Sequence, residues 1–190
     1  LPISGTGASI TATVAALSAP KINNIASYQQ SYLDGQGTTG AFAAKFPGTL
    51  GNSLSVSFAD ASSYASWAHA DSFDGAPGTS SQAASYGSSN DEVHIVVMDV
   101  GGAFSGKQNT VLETFPYLSK GSNITDSLGN SNWYKQVLLN RSKYIYAIDP
   151  PNYGTTDAAW SKPASNNWSY ATLPAANTVY LQGEIGRAHV

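Results

Sequence analysis

Glu92-Val93-His94-Ile95-Val96-Val97-Met98-Asp99 is the stretch that decides the fold. The nearly continuous apolar run over residues 93–100 is typical of a short strand that is buried on both faces. A glycine-containing loop follows over residues 101–109, and β-branched and aromatic residues then favour a second strand over residues 111–118. Pro116 lacks an amide hydrogen, so it predicts an edge strand or a bend at that point.

Downstream of this hairpin the sequence predicts one short helix and two more strands. Asn130 or Ser131 can cap a helix over residues 131–140. Its buried stripe is expected to consist of Trp133, Val137 and Leu138. Residues 143–148 predict a strand that carries Tyr144, Tyr146 and Ile148 on one face, and residues 178–181 predict a short strand.

Upstream, the signals are weaker. Residues 5–14 alternate small or apolar residues with polar ones behind a glycine-rich entry, which favours a strand. The segment 21–32 is ambiguous, because its apolar residues follow neither the helix period nor the strand period. Leu54, Val56 and Phe58 alternate with serines, which is typical of a half-buried strand. Residues 61–90 are rich in Ser, Ala and Gly and are predicted to form a long surface loop.

Together these elements predict an α+β fold with a mixed, mostly antiparallel sheet and one or two short helices, preceded by a β-rich segment. We expect residues 1–40 to be a partial N-terminal β-rich segment and residues 41–183 to be a core domain, loop-rich over 150–177. Residues 184–190 can be back-translated into a widely used sequencing-adapter read. That tail is expected to be an artefact and is excluded from the fold; a genuine polar tail is the alternative.

The composition excludes several classes of function. Charged residues make up only 11% of the chain and the net charge is −3, so there is no basic footprint for nucleic acid. The chain has no cysteine, which excludes disulfides and thiolate chemistry. No apolar run approaches the roughly 18 residues that would span a membrane. Three glycosylation sequons begin at Asn123, Asn140 and Asn167, as expected by chance in a chain rich in Ser, Thr and Asn.

One loop imitates a phosphate-binding site. Gly101-Gly102-Ala103-Phe104-Ser105-Gly106-Lys107 satisfies the G-x-x-x-x-G-K pattern after an apolar strand, and Asp149 follows a later strand as a magnesium ligand would. However, Gln108 stands where a Ser or Thr hydroxyl should hold magnesium. Residues 111–115 also favour a strand over the helix that such a loop requires. The loop is therefore predicted to be a hairpin turn, with no cofactor.

Other catalytic or binding sites have little support. His69 lies near Asp71 in the Ser-rich segment, and His94 is interpreted as a half-exposed strand residue. No Gly-x-Ser-x-Gly elbow occurs, and the carboxylates are too scattered to predict a metal site. We therefore predict no catalytic, cofactor-binding or metal-binding residues. A late group of aromatic residues could bind sugar or lie at a subunit interface, namely Tyr153, Trp160, Trp168 and Tyr170.

An ordered series of motifs resembles one known family. Residues 92–99 are followed by Phe104-Ser105-Gly106, by Val111-Leu112-Glu113-Thr114-Phe115 with Leu118-Ser119, and by a match over 133–146. Upstream, Phe46-Pro47-Gly48-Thr49-Leu50-Gly51-Asn52 and the following residues to Val56 fit the same series. Over residues 40–150 the chain resembles an internal fragment of the contractile tail-sheath proteins of T4-like bacteriophages, including those of marine cyanobacterial viruses.

The resemblance implies a structural protein and not an enzyme. Sheath subunits stack as rings in a helical tube around the inner tail tube, and their contraction drives that tube through the host envelope. The implied partners are further copies of the chain, the tail tube protein, and the baseplate and tail terminator proteins, without nucleic acid or membrane insertion. The implied location is the virion, after assembly in the host cytoplasm.

Three alternatives stay open from the sequence. A bacterial contractile injection system shares the sheath and differs in its gene neighbours. A secreted carbohydrate-binding β module would use the late aromatic residues. A P-loop-like NTPase would use the glycine loop around Lys107.

Overall fold

The structure, a computed structural model, describes residues 22, 24–34, 40–46, 48–149 and 160–181. Its helices are α1 (Ile25–Ser31), α2 (Ser81–Ser85) and α3 (Tyr134–Arg141). Its strands are β1 (Phe42–Ala44), β2 (Leu54–Ala59), β3 (Glu92–Asp99), β4 (Thr110–Ser119), β5 (Ile145–Ala147) and β6 (Asn177–Tyr180). The predicted α+β class is confirmed. The strand predicted over residues 5–14 and the tail 184–190 lie outside the described residues.

The strands form two sheets. The larger one has four strands in the order β4-β3-β2-β6, and the smaller one pairs β1 with β5. Every pairing between these strands is antiparallel. The predicted hairpin of two strands around the glycine loop is confirmed as β3 and β4, with Met98 opposite Val111 beside the loop. Pro116 lies in an edge strand at a register shift, as its missing amide hydrogen predicts.

The main core lies between the inner face of the large sheet and a layer made of α3 and the small sheet. Alternate residues of β2 and β3 point into it, since successive side chains of a strand face opposite ways. The core residues from these two strands are Leu54, Val56, Phe58, Val93, Ile95 and Val97. Beyond the small sheet, Tyr28 of α1 stacks on Tyr146 with ring centroids 4.7 Å apart and closes a second apolar cluster.

The outer face of the large sheet is covered by residues 61–78, which we call the covering segment. Short 3-10 turns at Tyr64–Ser66 and Ala70–Ser72 bring its aromatic side chains onto the sheet. Trp67 is buried there and donates its Nε1 hydrogen to the Ser57 hydroxyl over 2.8 Å. All six residues of β2 are consequently buried, and the prediction of a half-buried strand is wrong. Residues 61–90, expected to be one long loop, also contain α2.

Helix α3 begins later than predicted. Its N-cap is Trp133, in an extended conformation and without a side-chain cap, so the predicted caps Asn130 and Ser131 are wrong. The Asn130 amide hydrogen is instead donated to Asp126 over 2.9 Å, which closes a separate turn. The buried face is broader than the predicted stripe and consists of Tyr134, Lys135, Val137, Leu138 and Leu139. Within the described ranges, no helix has the length and apolarity to cross a membrane.

Candidate functional site

The glycine loop after β3 is organised around the carboxylate of Asp99, which is fully buried. Backbone amides of Gly102, Phe104 and Ser105 donate to it over 2.8, 2.9 and 2.7 Å. The hydroxyls of Ser105 and Ser53 donate over 2.8 and 2.6 Å. The amides that a phosphate would require are thus already bound to a carboxylate of the chain itself.

The charge of Asp99 is stabilised by this arrangement. Burial alone would raise the pKa of Asp99, but the hydrogen bonds from Ser53, Ser105 and Phe104 outweigh it and hold the pKa well below its usual range. Lys107, the lysine of the G-x-x-x-x-G-K pattern, is exposed, and a strand follows it where a phosphate site requires a helix. The loop therefore has the geometry of a closed hairpin turn.

A second polar group joins the late part of the chain to the large sheet. The Lys120 Nζ atom lies 2.9 Å from Oδ2 of Asp60, and the two side chains are exposed by 0% and 2%. Oδ2 also accepts the Leu173 amide hydrogen over 2.7 Å, while the ammonium donates to the Ala171 carbonyl over 3.1 Å. Burial lowers the pKa of Lys120, and the nearby carboxylates only partly oppose this. No local sequence pattern pointed to this pair.

A third buried carboxylate belongs to Asp91, just before β3. It accepts hydrogen bonds from the Ser80 amide and hydroxyl over 2.7 and 2.8 Å and from the Ser119 hydroxyl over 2.8 Å. Each of these acids is therefore occupied by donors of the fold. In the part of the chain that the structure describes, no group of three His, Cys, Asp or Glu side chains could hold a metal ion.

His69 and His94, the two histidines among the described residues, do not form a catalytic set. His94 is fully buried, so its interpretation as a half-exposed strand residue is wrong. Its ring nitrogens contact two backbone groups, the Gly75 carbonyl and the Tyr117 amide, each at 2.9 Å. His69 packs edge-on against Trp67 with ring centroids 5.5 Å apart. A Ser-His-Asp set requires a hydroxyl and a carboxylate at these nitrogens, and His94 has neither.

Two of the three late aromatic residues that the structure describes are unavailable to a ligand. Trp160 and Tyr170 are each exposed by only 1% and pack into separate apolar clusters. Trp168 is partly exposed, and the Lys162 Nζ atom lies 4.5 Å from its ring centroid. Tyr153 lies outside the described residues. Of the four candidates for a sugar platform, only Trp168 is seen to present part of its ring to solvent.

Two exposed apolar side chains stand at opposite ends of one row of residues across the outer face of the large sheet, which we call the outer row. The register places Val111, Met98, Ser55 and Tyr180 side by side on β4, β3, β2 and β6. The covering segment reaches only the middle of this row, so Val111 is 41% exposed and Tyr180 is 61% exposed at its two ends. Because β4 and β6 are the outermost strands, the row runs from one edge of the sheet to the other.

The outer row and the edge strands are therefore the candidate functional surface. Edge strands with exposed apolar side chains favour association with another chain. Comparison with known proteins found no matching family model, no matching curated protein and no matching solved structure.

Proposed function

We propose that the chain is a non-enzymatic structural subunit of a contractile bacteriophage tail sheath, which polymerises around the tail tube and contracts to drive it through the host envelope. Its partners would be further copies of itself, the tail tube protein, and the baseplate and tail terminator proteins. Its location would be the virion. The premise is the series of motifs over residues 40–150.

The observation that most supports this proposal is that the residues of that series pack into one body. The motifs form β2, the β3–β4 hairpin, α3 and β5, and all of these elements contribute to the main core. A subunit that moves between two helical packings must move as a rigid unit, since packed interiors do not deform continuously. A continuous core through these elements fits that requirement.

The open sheet gives a second line of support. Its two edges, β4 and β6, differ in length and in exposed side chains, so they are suited to contacts between different surfaces of neighbouring copies. Such heterologous contacts produce rings or open helical polymers. The charged fraction of 11% limits repulsion between many identical copies.

The state of the glycine loop argues against a nucleotide-driven enzyme. Its backbone amides donate their hydrogens to Asp99, and the side chain of its lysine, Lys107, is exposed. An energy source stored in the packing of subunits needs no bound nucleotide. Independence from nucleotide is expected of a sheath protein that is assembled in a high-energy state and triggered once.

The test is to recover the complete reading frame that contains this chain, express it, and examine the product by negative-stain electron microscopy. We expect hollow tubes of stacked rings. A product that stays monomeric at all accessible concentrations would contradict the proposal. The neighbouring genes then separate the two contractile machines: capsid and tail tube genes indicate a phage, and secretion genes indicate an injection system.

A further inference from the structure

His94 supplies a side-chain hydrogen-bond acceptor where the backbone pairing of β3 and β4 is irregular. The register of β3 and β4 shifts between Val93 and Ile95, so that Pro116 and Tyr117 together lie opposite His94. Tyr117 adopts a φ of 51°, which is unusual for a residue with a side chain. Its amide hydrogen cannot reach the β3 backbone in the regular way and is donated to Nδ1 of His94 over 2.9 Å.

The two partners of His94 define its protonation state. Nε2 lies 2.9 Å from the Gly75 carbonyl oxygen, which can only accept, so Nε2 carries the hydrogen. Nδ1 faces an amide N–H, which can only donate, so Nδ1 must keep its lone pair. Only the neutral ring with the hydrogen on Nε2 satisfies both contacts. A proton on Nδ1 would place two donors against each other.

His94 is also the contact between the sheet and the covering segment. Phe73 stacks on its ring with centroids 4.2 Å apart and an interplanar angle of 7°. Tyr64 packs edge-on at 5.7 Å, and Gly75 supplies the carbonyl partner. These residues are the layer that separates the fully buried imidazole from solvent. Hydration of a charged ring would therefore require this layer to lift.

We propose that His94 is an acid-sensitive latch, in which protonation of Nδ1 breaks the bond to Tyr117 and releases the covering segment from the outer face of the sheet. Release would uncover Val96 and Met98 and extend the apolar outer row inward.

The charged and titratable groups around the ring do not supply a compensating negative charge. Tyr64 of the covering segment and Tyr117 of β4 contact the ring with their aromatic edges. Glu92, on the same strand, accepts the Gly78 amide hydrogen over 2.8 Å. Asp74 precedes Gly75 in the chain and is exposed. Burial lowers the pKa of His94, although the backbone carbonyls of Gly75 and Val93, which favour the charged ring, oppose this effect.

Acid favours release, because the contacts with Gly75 and Tyr117 hold the neutral ring in the latched state. Below about pH 6.5, His94 binds a proton in the released state but stays neutral in the latched state. The equilibrium constant for release should therefore rise by up to about tenfold for each pH unit below 6.5, until His94 is protonated in the latched state as well.

The test is hydrogen exchange of the whole chain between pH 7.5 and 5.0, read by mass spectrometry on peptides within residues 61–78 and corrected for intrinsic exchange rates. In the wild type we expect protection of these amides to fall at least tenfold. In His94→Gln, whose side chain offers a donor nitrogen and an acceptor oxygen without titrating, protection should stay constant. His69→Gln is the matched control, because His69 is a titratable residue of the covering segment that packs on Trp67, whereas the bonds to Tyr117 and Gly75 are made by His94; it should behave like the wild type.

Several outcomes would overturn the latch. These are constant protection in the wild type, a fall in His94→Gln equal to that of the wild type, or a fall that disappears in His69→Gln. If His94→Gln does not fold, an NMR titration of the His94 ring in the wild type replaces it. Protonation of that ring without faster exchange in residues 61–78 would then contradict the proposal.

Discussion

Lys120 and Asp60 form an ion pair that is almost completely removed from water, with 2.9 Å between Nζ and Oδ2. The pair is asymmetric in what surrounds it. Asp60 also accepts hydrogen bonds from the Leu173 amide and from the Ser62 amide and hydroxyl. The Lys120 ammonium has one further hydrogen-bond partner in the described part of the chain, the Ala171 carbonyl. The cost of breaking the pair should therefore depend on which side is removed.

We expect Asp60→Ala to lower the free energy of unfolding by about 3–5 kcal/mol, because it leaves a buried ammonium without its counter-charge. Lys120→Met should cost clearly less, since the carboxylate keeps its other donors. Urea denaturation of both single variants and the double variant gives the coupling energy. Lys143→Met, at an exposed lysine, should change stability by less than about 0.5 kcal/mol. Equal costs for the two single variants would contradict this account of the pair.

Asp99 gives a prediction about the glycine loop. Asp99→Ala removes the shared acceptor of several loop donors, among them the buried Ser53 hydroxyl, and should lower the free energy of unfolding by roughly 3 kcal/mol. Lys107→Ala should have almost no effect, because that side chain is exposed. ATP-γ-S should raise the melting temperature of neither the wild type nor Lys107→Ala. A rise in the wild type that Lys107→Ala abolishes would restore the NTPase alternative.

The Asp99 carboxylate also predicts that the free energy of unfolding falls at acidic pH. Hydrogen bonds hold the pKa of Asp99 below its unfolded value of about 3.9, despite the opposing effect of burial. Its contribution to stability is therefore fully present above about pH 5 and is lost as the pH falls below 4. Chemical denaturation at several pH values should show a steeper acid loss for the wild type than for Asp99→Asn. Parallel curves would mean that Asp99 does not carry this effect.

The sequence predicts those elements whose signal is local. The apolar run of β3 could only be a strand buried on both faces, and Gln108 with the strand-like residues after it identified the loop as a hairpin turn. The role of Asp99 was missed, although an Asp followed closely by two glycines is a local signal for a carboxylate that binds loop amides.

Other elements depend on distant contacts. Helix α1 is made by a capping box between Asn24 and Ser27 and by the stacking of Tyr28 on Tyr146, neither of which gives a clear apolar period. The aromatic residues of the covering segment follow no helix or strand period because they reach the sheet from 3-10 turns. The Asp60–Lys120 pair likewise joins two remote parts of the chain.

Lys135 predicts that the free energy of unfolding changes at alkaline pH. It lies on the buried face of α3 and donates to the carbonyls of Leu33 and Ile148. Burial lowers the pKa of Lys135 to about 8, although Asp149 and Asp34 oppose the change.

In the unfolded chain that lysine keeps its proton to about pH 10.4, so the unfolded state binds more protons between about pH 8 and 10. Stability should therefore rise across this range in the wild type and rise less in Lys135→Met. Urea denaturation at pH 7.5, 8.5 and 9.5 checks this. A larger rise in the variant than in the wild type would contradict it.

The outer row predicts how assembly responds to surface charge. Tyr180→Asp and Val111→Asp place a carboxylate at either end of the row, at side chains that are 61% and 41% exposed. Each should leave the circular dichroism spectrum and melting temperature nearly unchanged, because little packing is lost. Each should raise the concentration needed for assembly at least about tenfold, since repeated copies bring the new charges together and an apolar contact is removed.

The matched control is Leu128→Asp, in a turn outside the strands of the sheet where the side chain is 84% exposed. It adds the same charge and removes a similar apolar area, yet it should assemble like the wild type. Light scattering against protein concentration, with electron microscopy of the products, measures all three variants in the complete gene product. If Leu128→Asp impairs assembly as much as Tyr180→Asp does, net charge is the cause and the outer row is not an assembly surface. If only the outer-row variants are impaired, subunits meet through the edges of the large sheet.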